Sequence, residues 1–516
     1  MLSKKIYPVL LAVLTALLLC GCGERVSFEG KNIPADRTEI SVVLEPGEID
    51  LLDSFPALEY ADLSGSSCYD EIVSWGEKHP EVEIFYTVAF PGGITADSNA
   101  AELDLSALSH EDVPGASELL RYLPELRRLI LSPGDFSAQE VMQLVSAREG
   151  LETDYSFHAG GTEIGLWEYS LDLKNLDSAG AAEAAEILPF LPNLEIVYLG
   201  DETSGRLSWD DIFLLTRSCP DVCFKYQFGL WGKEFSLEDR EMDLNHIWMD
   251  DGGTQVYRAA RCMNNLEYLD MDFCGVSNEN MKKIRDSLPD VEVVWRVWFG
   301  SGYSVRTDTE KILASKPSQG GFVTDRDGEA LSCCRAVKYL DLGHNDFLSD
   351  ISFVSDMPEL EVLIVAMDPV KDLSPLADCK KLEYLEIQTN NELTDISPLG
   401  GLTELRHLNM ARCPNVSDIS PLYNLTGLKR LWLGSSRSIP AEQVEKIISL
   451  LPNCKINTTV FNDPTTEGWR VDGMDPYTNE IFYNERYELL CEQFGYLEDA
   501  YSFAWKDPKY EAKTED

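Results

Sequence analysis

A short repeated pattern between residues 337 and 436 restricts the fold of this chain more than any other feature. Successive copies begin at Val337, Leu360, Leu382, Leu405 and Leu428, so the period is 22 or 23 residues. Each copy follows Leu-x-x-Leu-x-Leu-x-x-Asn, with a small polar residue or a cysteine at the ninth position. Such a period predicts stacked coils that each add one strand to a parallel ladder, because one coil cannot bury its apolar residues alone.

The segments between these strands repeat as well, as Asp-Ile-Ser-Pro-Leu or Asp-Leu-Ser-Pro-Leu from Asp372, Asp395 and Asp418. The aspartate can cap a short turn, proline is tolerated in its first residues, and leucine returns to the core. Together these motifs resemble the leucine-rich repeats of bacterial internalin-type surface proteins. The resemblance implies an α/β solenoid, a leucine-rich-repeat horseshoe or arc with parallel strands on its concave face and helices or short turns on its convex face. It also implies a protein-binding role.

A longer period precedes the short repeats. Equivalent strands open at Leu58, Leu126, Leu194 and Leu266, 68 to 72 residues apart. Each long unit is predicted to contain three coils and a β-hairpin, since alternating apolar residues run up to a glycine turn. We therefore expect long leucine-rich-repeat-like units over residues 38–336 and short repeats over residues 337–460.

The N-terminus has the features of an export signal. Lys4 and Lys5 precede an apolar run that is too short to span a bilayer, and the run ends Leu19-Cys20-Gly21-Cys22. This ending resembles the lipobox of bacterial lipoproteins, which implies a signal peptide over residues 1–21 and a lipid on Cys22. Residues 22–37 would then tether an extracytoplasmic protein to the cell membrane, with cell-surface exposure expected.

Charge and the scarcity of catalytic motifs limit the function. With 43 Lys and Arg against 89 Asp and Glu, the formal net charge is −46, which argues against nucleic-acid binding. The six histidines are scattered over different repeats, and no metal-ligand spacing, nucleophile elbow or phosphate loop is present. We therefore predict no catalytic residues, no metal, no cofactor and no enzymatic activity. The cysteines after Cys22 mostly occupy expected core positions of the repeats.

The last segment, residues 461–516, is rich in aromatic residues. Eleven of them lie between Trp469 and Tyr510. Because the end coil of a solenoid exposes an apolar edge, we expect this segment to be a cap that contains a short helix from residue 484 to 494. The alternative is a docking surface, since tyrosine and tryptophan are favoured at interfaces.

The candidate ligand-binding residues are the third and fifth residues of each short repeat. Side chains alternate across a strand, so these positions point away from the leucine core and are expected to face solvent. Tyrosine recurs there beside acidic residues, a combination that suits a basic protein segment or a sugar face. The candidates are Tyr339, Asp341, Tyr384, Glu386, His407, Asn409, Arg430 and Trp432.

The sequence thus predicts a non-enzymatic, lipid-anchored surface protein that binds another macromolecule, most simply a protein. One alternative is a cell-wall or glycan-binding module that uses the same aromatic residues. A second alternative is an enzyme or a subunit of an enzyme complex.

Overall fold

The computed structural model describes residues 25–28, 31–203, 205–315, 322–458, 469–474, 477–478 and 481–494. These residues divide into two compact units. Unit 1 comprises the described residues up to 238 together with Cys262–Asn264, and unit 2 comprises Asp239–Arg261 and the described residues from Asn265 onward.

Unit 1 is built from groups of short parallel strands, each strand contributed by one coil. After an N-terminal hairpin of Arg25–Phe28 and Lys31–Pro34, the first parallel group is Glu39–Ser41, Tyr60–Asp62 and Glu83–Phe85. The second group pairs Glu102–Asp104 with Arg128–Ile130, and the third is Ser170–Asp172, Ile196–Asp201 and Cys223–Leu230. Antiparallel hairpins connect or extend the groups: Thr87–Ala89 with Thr95–Asp97, Ser156–Ala159 with Thr162–Gly165, and Cys223–Leu230 with Lys233–Ser236.

Helices form the return segments of the unit 1 coils. They span Tyr69–Lys78, Val113–Leu119, Ala138–Val145, Ser178–Ile187 and Trp209–Ser218. Short 3-10 helices cover Ile49–Ser54, Pro91–Gly93, His110–Asp112, Leu120–Tyr122 and Leu188–Phe190. Two helices begin at full capping boxes, in which Ser137 and Ser208 exchange hydrogen bonds with Glu140 and Asp211. Capping boxes pair amides that the first helical turn leaves without partners.

Unit 2 begins with one more group of the same kind. Strands Glu241–Asp243, Tyr268–Asp270 and Glu292–Val294 are parallel, and the hairpin Arg296–Phe299 with Tyr303–Arg306 follows. Its helices span Thr254–Ala260 and Asn278–Ser287. The predicted hairpin after each group of coils is therefore present in both units.

The rest of unit 2 is a continuous seven-stranded parallel ladder, which we call the ladder. Its strands are Lys311–Leu313, Tyr339–Asp341, Val362–Ile364, Tyr384–Glu386, His407–Asn409, Arg430–Trp432 and Lys455–Asn457. Most return segments are short: Asp325–Asp327 with Gly328–Leu331, Ser352–Asp356, Ser374–Asp378, Ser397–Gly401 and Ser420–Asn424. The last is the ten-residue helix Ala441–Leu450.

The ladder follows the repeat pattern residue by residue. The central leucines of its five middle strands, Leu340, Leu363, Leu385, Leu408 and Leu431, are fully buried. The turn aspartates accept hydrogen bonds from the first amides of the 3-10 helices, for example from the Ser374 amide, which donates to Asp372 Oδ1 over 2.8 Å. Ninth-position side chains link successive coils, as when Ser436 Oγ accepts from the Cys413 amide and donates to the Met410 carbonyl. Side chains at these positions therefore satisfy backbone amides of the turns.

The eighth position of the unit 2 repeats adopts a left-handed backbone although it is never glycine. Seven such residues have φ between 55° and 67°: His246, Phe273, His344, Met367, Thr389, Arg412 and Ser435. Five of these amides, all except those of Phe273 and Ser435, donate to a carbonyl of the next coil, as in the 2.8 Å bond from the His344 amide to the Ala366 carbonyl. This regular pairing holds these five backbones in a region that non-glycine residues rarely occupy.

The last described part of the chain is a hairpin of Val471–Met474 and Ile481–Tyr483, followed by a helix over Glu485–Phe494. Asn484 begins the helix, because its Oδ1 accepts from the Tyr487 amide over 3.0 Å. The predicted helix is therefore present. We call the described residues between 469 and 494 the docked segment, for the reason given next.

Candidate functional site

The ladder register brings the candidate residues together on one surface. Third-position residues lie side by side in the order Tyr339, Val362, Tyr384, His407 and Arg430. Fifth-position residues lie parallel to them in the order Asp341, Ile364, Glu386, Asn409 and Trp432. We call this surface, which faces away from the leucine core, the ladder face.

The docked segment lies on the ladder face. Trp469, Tyr487, Leu490 and Phe494 are buried and form one apolar cluster with ladder residues. The ladder members of the cluster are Leu313, Val362, Ile364, Ala366, Tyr384, Ala411 and Trp432, with Tyr339 packed against them. The segment therefore contacts strands from the first to the sixth of the ladder rather than only its last coil.

This arrangement corrects the expectation that the third and fifth positions face solvent. Tyr384, Glu386, Asn409 and Trp432 are at most 2% exposed, while Asp341 and His407 are also buried. Tyr339 and Arg430 are half-buried. The expectation of exposure was wrong because strand alternation fixes only the side on which a residue lies. Distant parts of the chain decide whether that side is covered.

Trp469 is the centre of the contact. Its ring centroid lies 5.4 Å from those of Tyr384 and Trp432, and 6.4 Å from that of His407. Centroid separations of this size are favourable for tilted and edge-on aromatic pairs. Three candidate residues on successive strands thus form an aromatic cradle for one side chain of the segment.

A buried carboxylate fixes the orientation of the segment in this cradle. Glu386 accepts from the indole of Trp469 over 2.9 Å and from the guanidinium of Arg470 over 3.0 and 3.1 Å. The hydroxyl of Tyr384 donates to the same carboxylate. The Arg470 guanidinium also lies 5.0 Å from the centre of the Tyr487 ring. A buried charge is tolerated when it is paired and hydrogen-bonded in this way.

A second ionic contact lies at the edge of the face. Asp472 pairs with Arg430 and lies 3.7 Å from the ammonium of Lys455, whereas Arg486 lies 5.5 Å from the centre of the Tyr384 ring. The segment therefore places an arginine against an acidic ladder residue and an acid against two basic ladder residues.

Burial changes the titration of two cradle residues. Burial, followed by the neighbouring Arg486 and Arg430, lowers the pKa of His407 to about 3, so its ring is neutral at physiological pH. Its Nδ1 atom and the indole nitrogen of Trp432 are buried without a hydrogen-bond partner. Burial, together with Glu386, raises the pKa of Tyr384 well above its usual value, so its hydroxyl stays protonated and can donate.

The strand face of unit 1 differs from the ladder face. Its third- and fifth-position residues are exposed or half-buried, and Ile130 and Tyr198 are 42% and 43% exposed. Six of them are acidic: Glu39, Asp62, Glu83, Glu102, Asp104 and Asp172. The two basic residues of this face, Arg128 and Lys225, form ion pairs with carboxylates. We call this surface the acidic face.

Other chemistry is sparse in the described residues. They contain no group of three or more metal-ligating side chains and no helix long and apolar enough to cross a membrane. The eleven cysteines that the structure describes are free thiols, and eight of them are buried. Cys22, the predicted signal peptide and the aromatic residues beyond Phe494 lie outside the described residues.

Comparison with known proteins supports the repeat assignment. A family model described as Leucine Rich repeats (2 copies) matches residues 358–401 and 380–424. Residues 358–424 are therefore leucine-rich repeats. A comparison with curated protein sequences gave no significant match.

Solved structures similar to this chain include two internalins of Listeria monocytogenes. For inlF the identity is 16%, with 88% of this chain and 90% of the other covered and a TM-score of 0.24. For internalin C2 the identity is 20%, with 45% and 88% covered and a TM-score of 0.24. A leucine-rich-repeat protein of Leptospira interrogans shows 16% identity over 80% and 92% of the two chains, with a TM-score of 0.26. With TM-scores this low, the fold assignment rests on the matched repeats and on the parallel ladder itself.

Sequence reasoning did not find Trp469, Arg470 and Asp472 as residues of this site. One signal was available: the ladder face is rich in aromatic and aliphatic residues, whereas the acidic face is largely charged. An apolar column on the outer side of a repeat indicates that another part of a protein covers it.

Proposed function

We propose that this protein recognises other proteins through the strand faces of its leucine-rich repeats, while a lipid on Cys22 holds it at the outer side of a cell membrane. One observation carries the proposal: the ladder face binds a polypeptide, the docked segment, through a buried tryptophan and a buried ion pair. Recognition of a polypeptide is thus chemistry that this surface performs within its own chain.

The acidic face supports a specific kind of partner. It carries six carboxylates in its strand positions, and its basic residues are already paired. A partner with a basic segment would gain favourable charge contacts there, and its association should slow as ionic strength rises. Exposed Ile130 and Tyr198 would add apolar contact area.

Capture from cell-surface and secreted fractions tests the proposal. The bait is the chain from residue 22 with Cys22→Ser, and the test variant adds Glu39→Lys and Glu83→Lys, which reverse two exposed charges on either side of Tyr60. The matched control adds Glu118→Lys and Glu186→Lys on exposed positions of two helices, for the same change in net charge.

We expect the control to retain a basic protein partner that the test variant loses. Equal loss from both variants would show that total charge, and not the acidic face, governs binding. Failure of the unmodified bait to retain any protein would refute the proposed function. The lipid on Cys22 is tested separately by mass spectrometry of the N-terminal peptide, which should carry acyl chains in the natural protein and lack them in Cys22→Ser.

Glycan binding is a second candidate, favoured by an exposed aromatic patch in unit 2. Trp248, Phe273 and Trp298 are 73%, 41% and 60% exposed. Phe273 stacks on His246 at 4.6 Å and meets the edge of Trp298 at 6.4 Å. Flat exposed rings can stack on sugar faces. A Trp248→Ala, Trp298→Ala variant should then lose retention on insoluble polysaccharide, and this retention should respond little to salt.

A further inference from the structure

The docked segment forms a layer that the ladder does not need for its own core. The ladder strands pair with one another, and their central leucines pack on the opposite side of the sheet. The ninth-position bonds between coils also involve only ladder residues. The ladder face is therefore complete as a surface before the segment lies on it.

Without the segment, the ladder face would expose apolar side chains to water. Val362, Ile364 and Tyr384 would then form an apolar patch on two adjacent strands, and the ring of Trp432, two strands beyond Tyr384, would lose its contact with Trp469. Contiguous patches of this kind on soluble proteins mark places where another polypeptide binds. The ladder face thus requires a cover.

The contacts define what such a cover must provide. It needs an aromatic side chain for the cradle of Tyr384, His407 and Trp432, followed directly by an arginine for Glu386. An acid two residues after the arginine meets Arg430 and Lys455.

A helix must then follow to complete the cover. Its apolar residues are spaced three and four apart, as Tyr487, Leu490 and Phe494 are in the docked segment.

We propose that the ladder face is a recognition site for a segment of a partner protein with this chemistry, and that the docked segment is its built-in competitor. This inference rests on the proposed function and names the partner's binding element. Because both segments would make the same contacts, replacing one with the other changes the free energy only by the difference between their binding free energies. The chain's own segment has the advantage of being tethered, so the partner must bind more tightly than an isolated copy of it.

The test uses the full chain with Trp469→Ala and Arg470→Ala, which removes both anchors of the segment. The probe is a fluorescent synthetic peptide with the sequence of residues 469–494. We expect the peptide to bind this variant at least 30-fold more tightly than it binds the unmodified chain. A peptide that carries the same two alanines should not bind. The matched control is Phe482→Ala, which removes an aromatic side chain of the same segment that is 49% exposed, and it should behave as the unmodified chain.

A second measurement does not depend on the folding of that variant. Cys491 is half-buried against the apolar cluster in the unmodified chain. A large excess of peptide with Cys491→Ser should displace the chain's own segment and raise the alkylation rate of the Cys491 thiol several-fold. Absence of peptide binding by the folded variant, with no change in Cys491 alkylation, overturns the inference.

Further outcomes distinguish a different partner protein from a second copy of this chain, and this inference from the proposed function. If light scattering shows a dimer that Trp469→Ala with Arg470→Ala abolishes, the occupant is a second copy of this chain, and its assignment to a different protein is wrong. If the peptide binds but surface fractions yield no partner, the proposed function fails while the recognition chemistry stands. The reverse result, a captured partner without peptide binding, defeats only this inference.

Discussion

Replacing Asp368 with asparagine should make the ladder more stable at neutral pH. Asp368 occupies the ninth position of its repeat and is 1% exposed. Its Oδ1 accepts from the Asn345 amide, whereas Oδ2 is buried without a partner. Burial raises the pKa of this carboxyl to about 9, so the folded state holds it protonated where the unfolded chain ionises it.

The magnitude follows from proton linkage. At pH 7, folding adds a proton to this carboxyl although the pH is about three units above its usual pKa near 4. Protonation costs about 1.4 kcal/mol for each of these units. Together these units cost on the order of 4 kcal/mol. Because folding raises the pKa, the stability that this protonated carboxyl contributes is fully present below about pH 4. It is lost progressively as pH rises toward 9, where the cost of protonation is largest. The neutral amide of asparagine avoids this cost.

Asparagine also fits the local hydrogen bonding. The Nδ2 of Asn345 donates to the Ala314 carbonyl of the preceding coil over 3.0 Å. The equivalent carbonyl for residue 368 is that of Leu342, and we expect the side-chain amide of an asparagine at 368 to donate to it. The variant should therefore keep the coil geometry while it removes an ionisable group.

Hydrogen exchange on peptides from residues 337–390, corrected for intrinsic rates and measured from pH 5.5 to 8.5, reports the local free energy of opening. Asp368→Asn should exceed the natural chain by about 2 to 4 kcal/mol at pH 7, with a gap that widens by up to about 1.4 kcal/mol per pH unit. The control, Asp372→Asn, removes the charge of an exposed turn residue but keeps a side-chain oxygen that can accept from the Ser374 amide, so it should change stability little and show no such slope. A gap that does not change with pH, or a less stable Asp368→Asn variant, would refute the reasoning.

Three further predictions concern the segment, a helix start and a thiol. Glu386→Gln leaves Arg470 without its carboxylate, so the segment should loosen by on the order of 2 kcal/mol and limited proteolysis between residues 469 and 494 should speed up; unchanged cleavage would contradict this. Ser137→Ala removes a capping box with Glu140 and should cost about 1 kcal/mol of unfolding free energy in urea, whereas Ser137→Asp should restore most of it. Native alkylation should spare Cys334, which is fully buried and whose pKa burial raises, until the ladder unfolds; modification at the rate of exposed thiols would show that this part of unit 2 opens readily.

Local periodicity was enough to predict much of the fold. The register from Val337 to Leu428, the capped turns and the ninth-position bonds all depend on residues within one coil or its neighbour. The hairpins were also predictable, because alternating apolar residues before a glycine turn favour antiparallel pairing. In these places sequence neighbours and spatial neighbours largely coincide.

Local periodicity could not predict that the docked segment covers the candidate site. Trp469 and Glu386 are 83 residues apart in sequence, and no periodicity links them. The pattern placed Tyr384 and Trp432 correctly on the outer side of the strands, but coverage of that side depends on a long-range contact. The aromatic excess in residues 469–494 was visible, yet it was interpreted as an end cap because the edge of a solenoid also requires a cover.

The docked segment follows the ladder in sequence, and this order affects how the chain folds while it is being synthesised. The chain is synthesised from its N-terminus, so the ladder repeats, which rely on local contacts, can form before residues 469–494 have emerged. During that interval Tyr384 and Trp432 would remain in contact with water. A nascent chain should therefore aggregate more readily than the finished one, and chaperones should bind it mainly in that interval.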